Sequence, residues 1–159
     1  MSSYNSQGSG CCAKGCRILT LNASNTIGNY TYKKVEDIKK DDEVITYNLN
    51  DNYNIKYSFS KIECVVKTQC DNNEANMVHL GNLIITPYHP IIDIVNYEKH
   101  WRFPVSKTQP KKINCSEMYT FVIHNRQSVI IERYGFATFG HNLKGDTIQH
   151  DYFGTDKVI

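Results

Sequence analysis

The chain has 159 residues, of which 40% are hydrophobic and 21% charged, with a formal net charge of +2. This length suits one domain with a real core, and the weak, scattered positive charge gives no reason to expect nucleic acid or an anionic membrane as a partner. No apolar run approaches the roughly 20 residues that span a bilayer, and no signal peptide is recognisable, so we expect an intracellular protein without a membrane partner.

The first ten residues are small and polar, and we expect residues 1–10 to form a flexible leader or N-terminal flank. From Cys16 onward the sequence changes to short runs of β-branched and aromatic residues, a composition typical of strands. These runs lie at residues 17–21, 43–47, 55–59, 62–67, 77–80, 82–86, 118–123, 128–131 and 135–139.

Polar, asparagine-rich turns separate these runs, and only residues 35–38 favour a short helix. Many short strands with almost no helix predict an all-β domain, either barrel-like or sandwich-like. We place this domain at residues 11–142. Residues 143–159 return to mixed polarity and are expected to form a C-terminal tail or flank.

The six cysteines do not form an obvious disulfide framework, because three crowd near the N-terminus and the others are scattered. No Cys-x-x-Cys pair is present, which argues against a structural zinc site of the finger type. We expect reduced thiols, and the state of the later cysteines, Cys64, Cys70 and Cys115, stays open at this level.

Cys11 directly follows Gly10 at the start of the predicted domain. A thiol in this position can attack the preceding carbonyl and replace the amide with a thioester, an N-to-S acyl shift. The shift is uphill in an ordinary peptide, so strain and a nearby proton acceptor must drive it. The alternative is that Cys11 and Cys12 are merely small apolar residues at a strand start.

Thr86 and His89 follow the apolar run 83–85 and precede Pro90, at a strand end or tight turn. A hydroxyl and an imidazole three residues apart can converge on one carbonyl. We expect the imidazole to protonate the departing amide nitrogen and the hydroxyl to donate to the oxyanion. The alternative is a loop histidine that bonds to its own turn.

His141 and Asn142 form the third candidate pair. The Asn142 side chain can attack its own backbone carbonyl, giving a succinimide and cutting the chain, while His141 assists. Asparagine is abundant here, and His124 with Asn125 is a second such pair, in a predicted hairpin.

Zinc is expected to inhibit this chemistry. If Cys11, His89 and His141 lie together, their thiol and imidazole groups are good zinc ligands, and a metal on the nucleophile would block it. No cofactor is required by the proposed chemistry.

Several segments together resemble the Hint (Hedgehog/intein) superfamily. Residues 11–16 resemble the intein opening Cys-x-Ala-Lys-Gly-Thr, residues 35–44 its "Glu-Asp-Ile…Gly-Asp-Glu-Val" segment, residues 86–89 its Thr-x-x-His motif, and residues 140–142 its closing His-Asn. Residues 64–68 and 150–155 look more like the Vint and bacterial-intein-like branches. The resemblance implies a compact, horseshoe-like all-β fold with pseudo-twofold symmetry.

The resemblance also implies that Cys11, rather than Cys12, is the nucleophile and that the partners are the chain's own flanks. Three departures from the family pattern bear on mechanism: Leu143 stands where a splicing intein has Cys, Ser or Thr, Thr120 where many have Asp, and Gln127 where many have His. Without the acceptor at residue 143, cleavage should dominate over splicing. Hedgehog-like transfer to an outside nucleophile and a catalytically idle β domain remain as alternatives.

Overall fold

The computed structural model describes residues 10–21, 30–49 and 52–141. Twelve strands account for most of them: β1 Cys12–Ala13, β2 Arg17–Leu21, β3 Tyr30–Lys34, β4 Glu43–Leu49, β5 Ile55–Gln69, β6 Glu74–Leu80, β7 Leu83–Ile85, β8 Ile91–Asp93, β9 Lys111–Asn114, β10 Glu117–Ile123, β11 Ser128–Ile131 and β12 Tyr134–Ala137. The helical elements of the described residues are three single 3₁₀ turns, at Val35–Asp37, Asp71–Asn73 and Pro104–Ser106. The all-β prediction is confirmed.

The strand predictions differ from the structure in length and number. The two runs at 55–59 and 62–67 are one continuous strand, β5, and the helix candidate at 35–38 is a 3₁₀ turn. The sequence does not predict four short strands, β1, β3, β8 and β9. Their two to five residues are too few, or too polar, to show an alternation of apolar and polar side chains. Most of the predicted leader, Asn142 and the tail 143–159 lie outside the described residues.

The long strand β5 connects two halves of a curled sheet. Its first part pairs with β4, and its second part, from Ile62, pairs with β10. The half that contains β4 continues through β2, β11, β12 and β8, and β3 pairs with β2. The half that contains β10 continues through β1, β7, β6 and β9. In the described residues no helix is long and apolar enough to cross a membrane.

The short strand β1 lies between β10 and β7, where Cys12 is opposite both Tyr119 and Ile85. Because side chains alternate between faces of a strand, the neighbouring cysteines point in opposite directions. Cys12 packs in the main core, with Ile85, Tyr119 and Cys16 among its members. Cys11 packs in a smaller cluster, together with Ala13, Met77, Cys115 and Met118. The fold thus separates two adjacent thiols.

Candidate active site around the Gly10–Cys11 peptide bond

Thr86 holds the main chain of Cys11 from the end of β7. The Cys11 amide donates to Thr86 Oγ1 at 3.0 Å, and the Thr86 amide donates to the Cys11 carbonyl at 2.9 Å. These bonds continue the pairing of β1 with β7 by one residue. The hydroxyl of Thr86 therefore bonds the nitrogen of the peptide bond that links Gly10 to Cys11.

His89 lies against Gly10, on the other side of the same peptide bond. A tight turn brings it there, with the His89 amide donating to the Thr86 carbonyl at 3.4 Å. A β-carbon placed on Gly10 would lie only 1.9 Å from Nδ1 of His89. The ring therefore occupies the space that any side chain at residue 10 would need.

Two contacts orient the imidazole of His89. It stacks on Phe136 with ring centroids 3.7 Å apart, and Nε2 lies 2.8 Å from the carbonyl oxygen of Ala137. A carbonyl can only accept a hydrogen bond, so in the neutral ring Nε2 carries the hydrogen. Nδ1 faces Gly10, and the contact with the Gly10 main chain favours the protonated form of the ring.

Burial keeps this imidazole neutral. His89 is 0% exposed, and burial lowers its pKa to about 3, with contacts to the Gly10 and Ala137 main chains opposing the shift and nearby His141 adding to it. The ring is therefore neutral at any pH well above that value, and taking up a proton there is costly.

The Cys11 thiol is protonated at neutral pH. The residue is 1% exposed, and burial raises the pKa of the thiol to about 12, with the nearby thiols of Cys70 and Cys115 adding to the increase. The Thr68 hydroxyl lies near the thiol and opposes the increase, although it makes no hydrogen bond of good geometry with the described residues. A thiol in this state needs a base to become a nucleophile.

The segment that leads to His141 is fixed by hydrogen bonds at two points. The Phe139 amide donates to the Phe121 carbonyl at 2.8 Å, and the Arg126 guanidinium donates to the Gly140 carbonyl at 3.0 Å. Gly140 has φ of 75°, a conformation that glycine adopts readily. The chain then reaches His141, which lies close enough to His89 to affect its pKa. Asn142 lies outside the described residues.

The contacts at the peptide bond differ in one respect from those expected from the sequence. The Thr86 hydroxyl, expected at the oxyanion, lies at the amide nitrogen, and the His89 ring, expected at that nitrogen, lies against Gly10. The structure places the Cys11 main chain, Thr86 and the His89 ring at the Gly10–Cys11 bond, with His141 near His89. The competing pair, His124 and Asn125, sits in the β10–β11 turn, with the His124 side chain 54% exposed.

Comparison with known families decides the classification. The Hint-domain family Vint matches residues 10–159, nearly the whole chain. The chain belongs to the Vint family of Hint domains. No curated protein is significantly similar to it in sequence.

Solved structures with the same fold are intein-like. A bacterial intein-like domain from Clostridium thermocellum matches with a TM-score of 0.53 at 14% identity, covering 80% of this chain and 97% of that chain. A DnaB intein from Synechocystis sp. PCC 6803 matches with a TM-score of 0.53 at 13% identity, covering 81% and 98%. The Ssp DnaB mini-intein variant M86 matches with a TM-score of 0.52 at 12% identity, covering 84% and 97%. The predicted Hint fold is confirmed.

Two threonines near the thiol of this Hint domain extend the set of candidate residues. Thr68 contacts the thiol from β5 and was not anticipated from the sequence. Continuing the β1–β10 register by one residue places Thr120 opposite Cys11, on the same face. The Thr120 hydroxyl is buried without a hydrogen-bond partner among the described residues. The thiol face of this Hint domain therefore presents hydroxyl groups.

A cavity of about 300 Å³ opens beside the thiol face. Thr68, Thr86, Cys70 and Met118 form its inner wall, and its rim carries polar and charged groups, including Asp71, Glu74 and Lys112. This cavity is large enough for a small polar molecule to approach the Cys11 side of the sheet.

The zinc prediction has no support from a preformed site. Across residues 10–21, 30–49 and 52–141, no group of three or more His, Cys, Asp or Glu residues is arranged to hold a metal ion. Zinc inhibition at Cys11, His89 and His141 therefore stays a prediction that needs a rearrangement or a two-ligand site.

Proposed function

We propose that this Hint domain processes its own chain by converting the Gly10–Cys11 amide into a thioester on Cys11. The family assignment and the intein-like fold support self-processing in general. The observation that carries the specific proposal is the pair of contacts on this one bond: the Thr86 hydroxyl on its nitrogen and the His89 ring against Gly10.

In the proposed step, Nδ1 of His89 accepts the proton of the Cys11 thiol while the sulfur attacks the Gly10 carbonyl carbon. The new carbon–sulfur bond replaces the carbon–nitrogen bond, and the proton passes to the released Cys11 amine. The Thr86 hydroxyl holds that nitrogen in place as it changes from amide to amine. At rest the ring is neutral and the thiol is protonated, and their pKa values make free transfer of the proton unfavourable, so the transfer must be concerted with attack on the carbonyl.

At the other end, we propose that the Asn142 side-chain amide attacks its own backbone carbonyl and releases the chain after it. His141 is the group that polarises this carbonyl or protonates the leaving amine. Leu143 offers no hydroxyl or thiol to receive the acyl group, so cleavage at both ends is favoured over splicing. Ligation of the flanks requires a freed amine to attack the thioester.

A second candidate is transfer of the acyl group from Cys11 to an outside nucleophile such as water or an amine. Two observations favour it. A cavity lined by Thr68 and Thr86 lies on the Cys11 side of the sheet, and the family match continues beyond Asn142 to residue 159. A domain that keeps its C-terminal segment needs the thioester at Cys11 and does not need cleavage after Asn142.

Fusions with a marker protein on each side test these proposals by intact mass. Release of the N-terminal flank by dithiothreitol or hydroxylamine, absent in Cys11→Ala, identifies the thioester. Loss of the C-terminal flank that disappears in Asn142→Ala identifies succinimide cleavage, whereas N-terminal release alone favours acyl transfer. Intact fusions after days under every condition would mean a catalytically idle domain.

Zinc inhibition is tested in the same fusions. Added zinc should slow N-terminal release and a chelator should restore it, because zinc bound to the Cys11 sulfur blocks its attack. Undiminished release at a large excess of zinc would remove this prediction.

A further inference from the structure

Two later cysteines meet at the end of β5. Cys70 follows β5 and Cys115 lies between β9 and β10, and their sulfur atoms are 3.5 Å apart. The third later cysteine, Cys64, is exposed, and its sulfur bonds to a neighbouring carbonyl, that of Val65. The fold therefore selects one pair from three cysteines that the sequence leaves equivalent.

The backbone around this pair is already held together. The Cys70 amide donates to the Ser116 carbonyl at 3.0 Å, and the Cys115 amide donates to the Asn73 carbonyl at 2.8 Å. These two bonds join the β5–β6 turn to the β9–β10 turn on both sides of the thiols. Closing a disulfide here needs a small movement of the sulfur atoms rather than a rearrangement of strands.

We propose that Cys70 and Cys115 are a disulfide-forming site that leaves the Cys11 thiol reduced. Cys70 lines the cavity and is partly exposed, so a small disulfide such as oxidised glutathione can reach it. Cys11 packs in the same cluster but is fully buried, and its thiol contacts the Thr68 hydroxyl.

The reaction proceeds in two exchanges. The Cys70 thiolate attacks one sulfur of the small disulfide and releases one thiol, giving a mixed disulfide. The Cys115 thiolate then attacks the Cys70 sulfur and releases the second thiol. The two protein thiols are oxidised, the small disulfide is reduced, and the two protons end on the released thiols. Burial and the contact with Cys115 raise the pKa of Cys70 to about 12, which slows the first exchange.

Peptide mapping tests the pairing in the full chain. After incubation with oxidised glutathione, the free thiols are alkylated under denaturing conditions and the protein is digested with trypsin. Cleavage after Lys and Arg separates Cys70, in peptide 68–99, from Cys115, in peptide 113–126, and from the other four cysteines. The expected result is a cross-link between these two peptides, with Cys11 alkylated.

A stability measurement supplies an independent readout. The disulfide closes a loop between residues 45 positions apart, and it should raise the melting temperature by about 5 to 15 °C. Cys64→Ser is the matched control and should keep both the cross-link and the shift, while Cys70→Ser and Cys115→Ser should each lose both. A cross-link that includes Cys11, or full alkylation of Cys70 and Cys115 in wild type after prolonged oxidation, would overturn the proposal.

Discussion

Cys11 and Cys12 are neighbours in sequence and equally buried, yet they lie in different chemical environments. Burial and the contact with Cys16 raise the pKa of Cys12 well above the ordinary range of a thiol, and the residue packs among apolar side chains of the main core. On the opposite face, Cys11 contacts the Thr68 hydroxyl and lies beside the cavity. Only Cys11 follows the glycine against which a buried imidazole packs.

The difference teaches that the face of a strand, rather than the local sequence, distinguishes a candidate nucleophile from a core residue. Both thiols have strongly raised pKa values, so ready ionisation does not separate them. What separates them is the presence of a proton acceptor and a hydroxyl at the preceding peptide bond. Substitutions on each face can therefore test whether Cys11 is the nucleophile and Cys12 a core residue.

The largest effect is expected from the two cysteines themselves. Cys11→Ala should reduce N-terminal release by on the order of 10⁴-fold or more, because the attacking sulfur is lost. Cys12→Ala should retain release and lower stability by about 1 kcal/mol through lost packing. Mass spectrometry of the fusions and thermal unfolding measure the two effects. The opposite pattern would reassign the nucleophile to Cys12.

His89→Gln should reduce N-terminal release by about 10² to 10⁴-fold, because glutamine cannot take up the thiol proton. His124→Gln, in the exposed β10–β11 turn, is the matched control and should release at the wild-type rate. Equal rates for both variants and wild type would remove His89 from the mechanism. C-terminal release in the His89 variant shows whether the two ends are coupled.

His89 should also make folding sensitive to acid. Its folded pKa of about 3 lies below the unfolded value of 6.5, so the unfolded chain binds the proton more readily. The stability contributed by the neutral ring is fully present above pH 6.5 and is lost as pH falls towards 3. The loss is about 1.4 kcal/mol of unfolding free energy per pH unit, which is roughly a 100-fold change in the folding equilibrium over two units. Urea unfolding of wild type and His89→Gln at several pH values measures this difference. If the unfolding free energy of the two proteins fell equally with falling pH, the prediction would be contradicted.

Gly10→Ala should slow N-terminal release by about 10 to 100-fold, because the added methyl group displaces the His89 ring from the bond. Gly81→Ala is a suitable control: nothing lies within 4 Å of an added β-carbon, although φ is +61°. It should cost about 1 kcal/mol of stability without changing release. Release rates that fall equally in both variants would indicate a general loss of folding.

The smallest expected effect concerns the hydroxyl on the Cys11 face. Thr68→Val keeps the shape of the side chain and removes its contact with the thiol, which should slow release by about 3 to 10-fold. Thr46→Val makes a comparable change at another buried hydroxyl, in β4, and should not slow it. An unchanged rate in Thr68→Val would leave Thr68 with a packing role only.

The strand content could be predicted, and the Thr-x-x-His spacing recognised, because both depend on short segments. The β-branched runs on either side of the turns mark most strands, and Thr86 and His89 are recognisable from their spacing at the end of β7. Thr68 could not be identified in this way. Its position beside Cys11 depends on β5 pairing with β10 and β10 with β1, two registers that join residues far apart in the chain.

The same reasoning explains the exchanged positions of the hydroxyl and the imidazole. Spacing in Thr-x-x-His shows that both groups can reach one bond, but which atom each meets depends on the pairing of β1 with β7 and on the Ala137 carbonyl that orients the ring. Likewise, nothing in the sequence distinguishes Cys70 and Cys115 from Cys64 as partners.

The close fit of the His89 ring against residue 10 has a consequence for any protein that carries or borrows this domain. Under the proposed chemistry, the residue before Cys11 must be glycine, because any side chain there would displace the imidazole. An engineered fusion that relies on release at this bond should therefore keep Gly10, and the released upstream protein should end in that glycine.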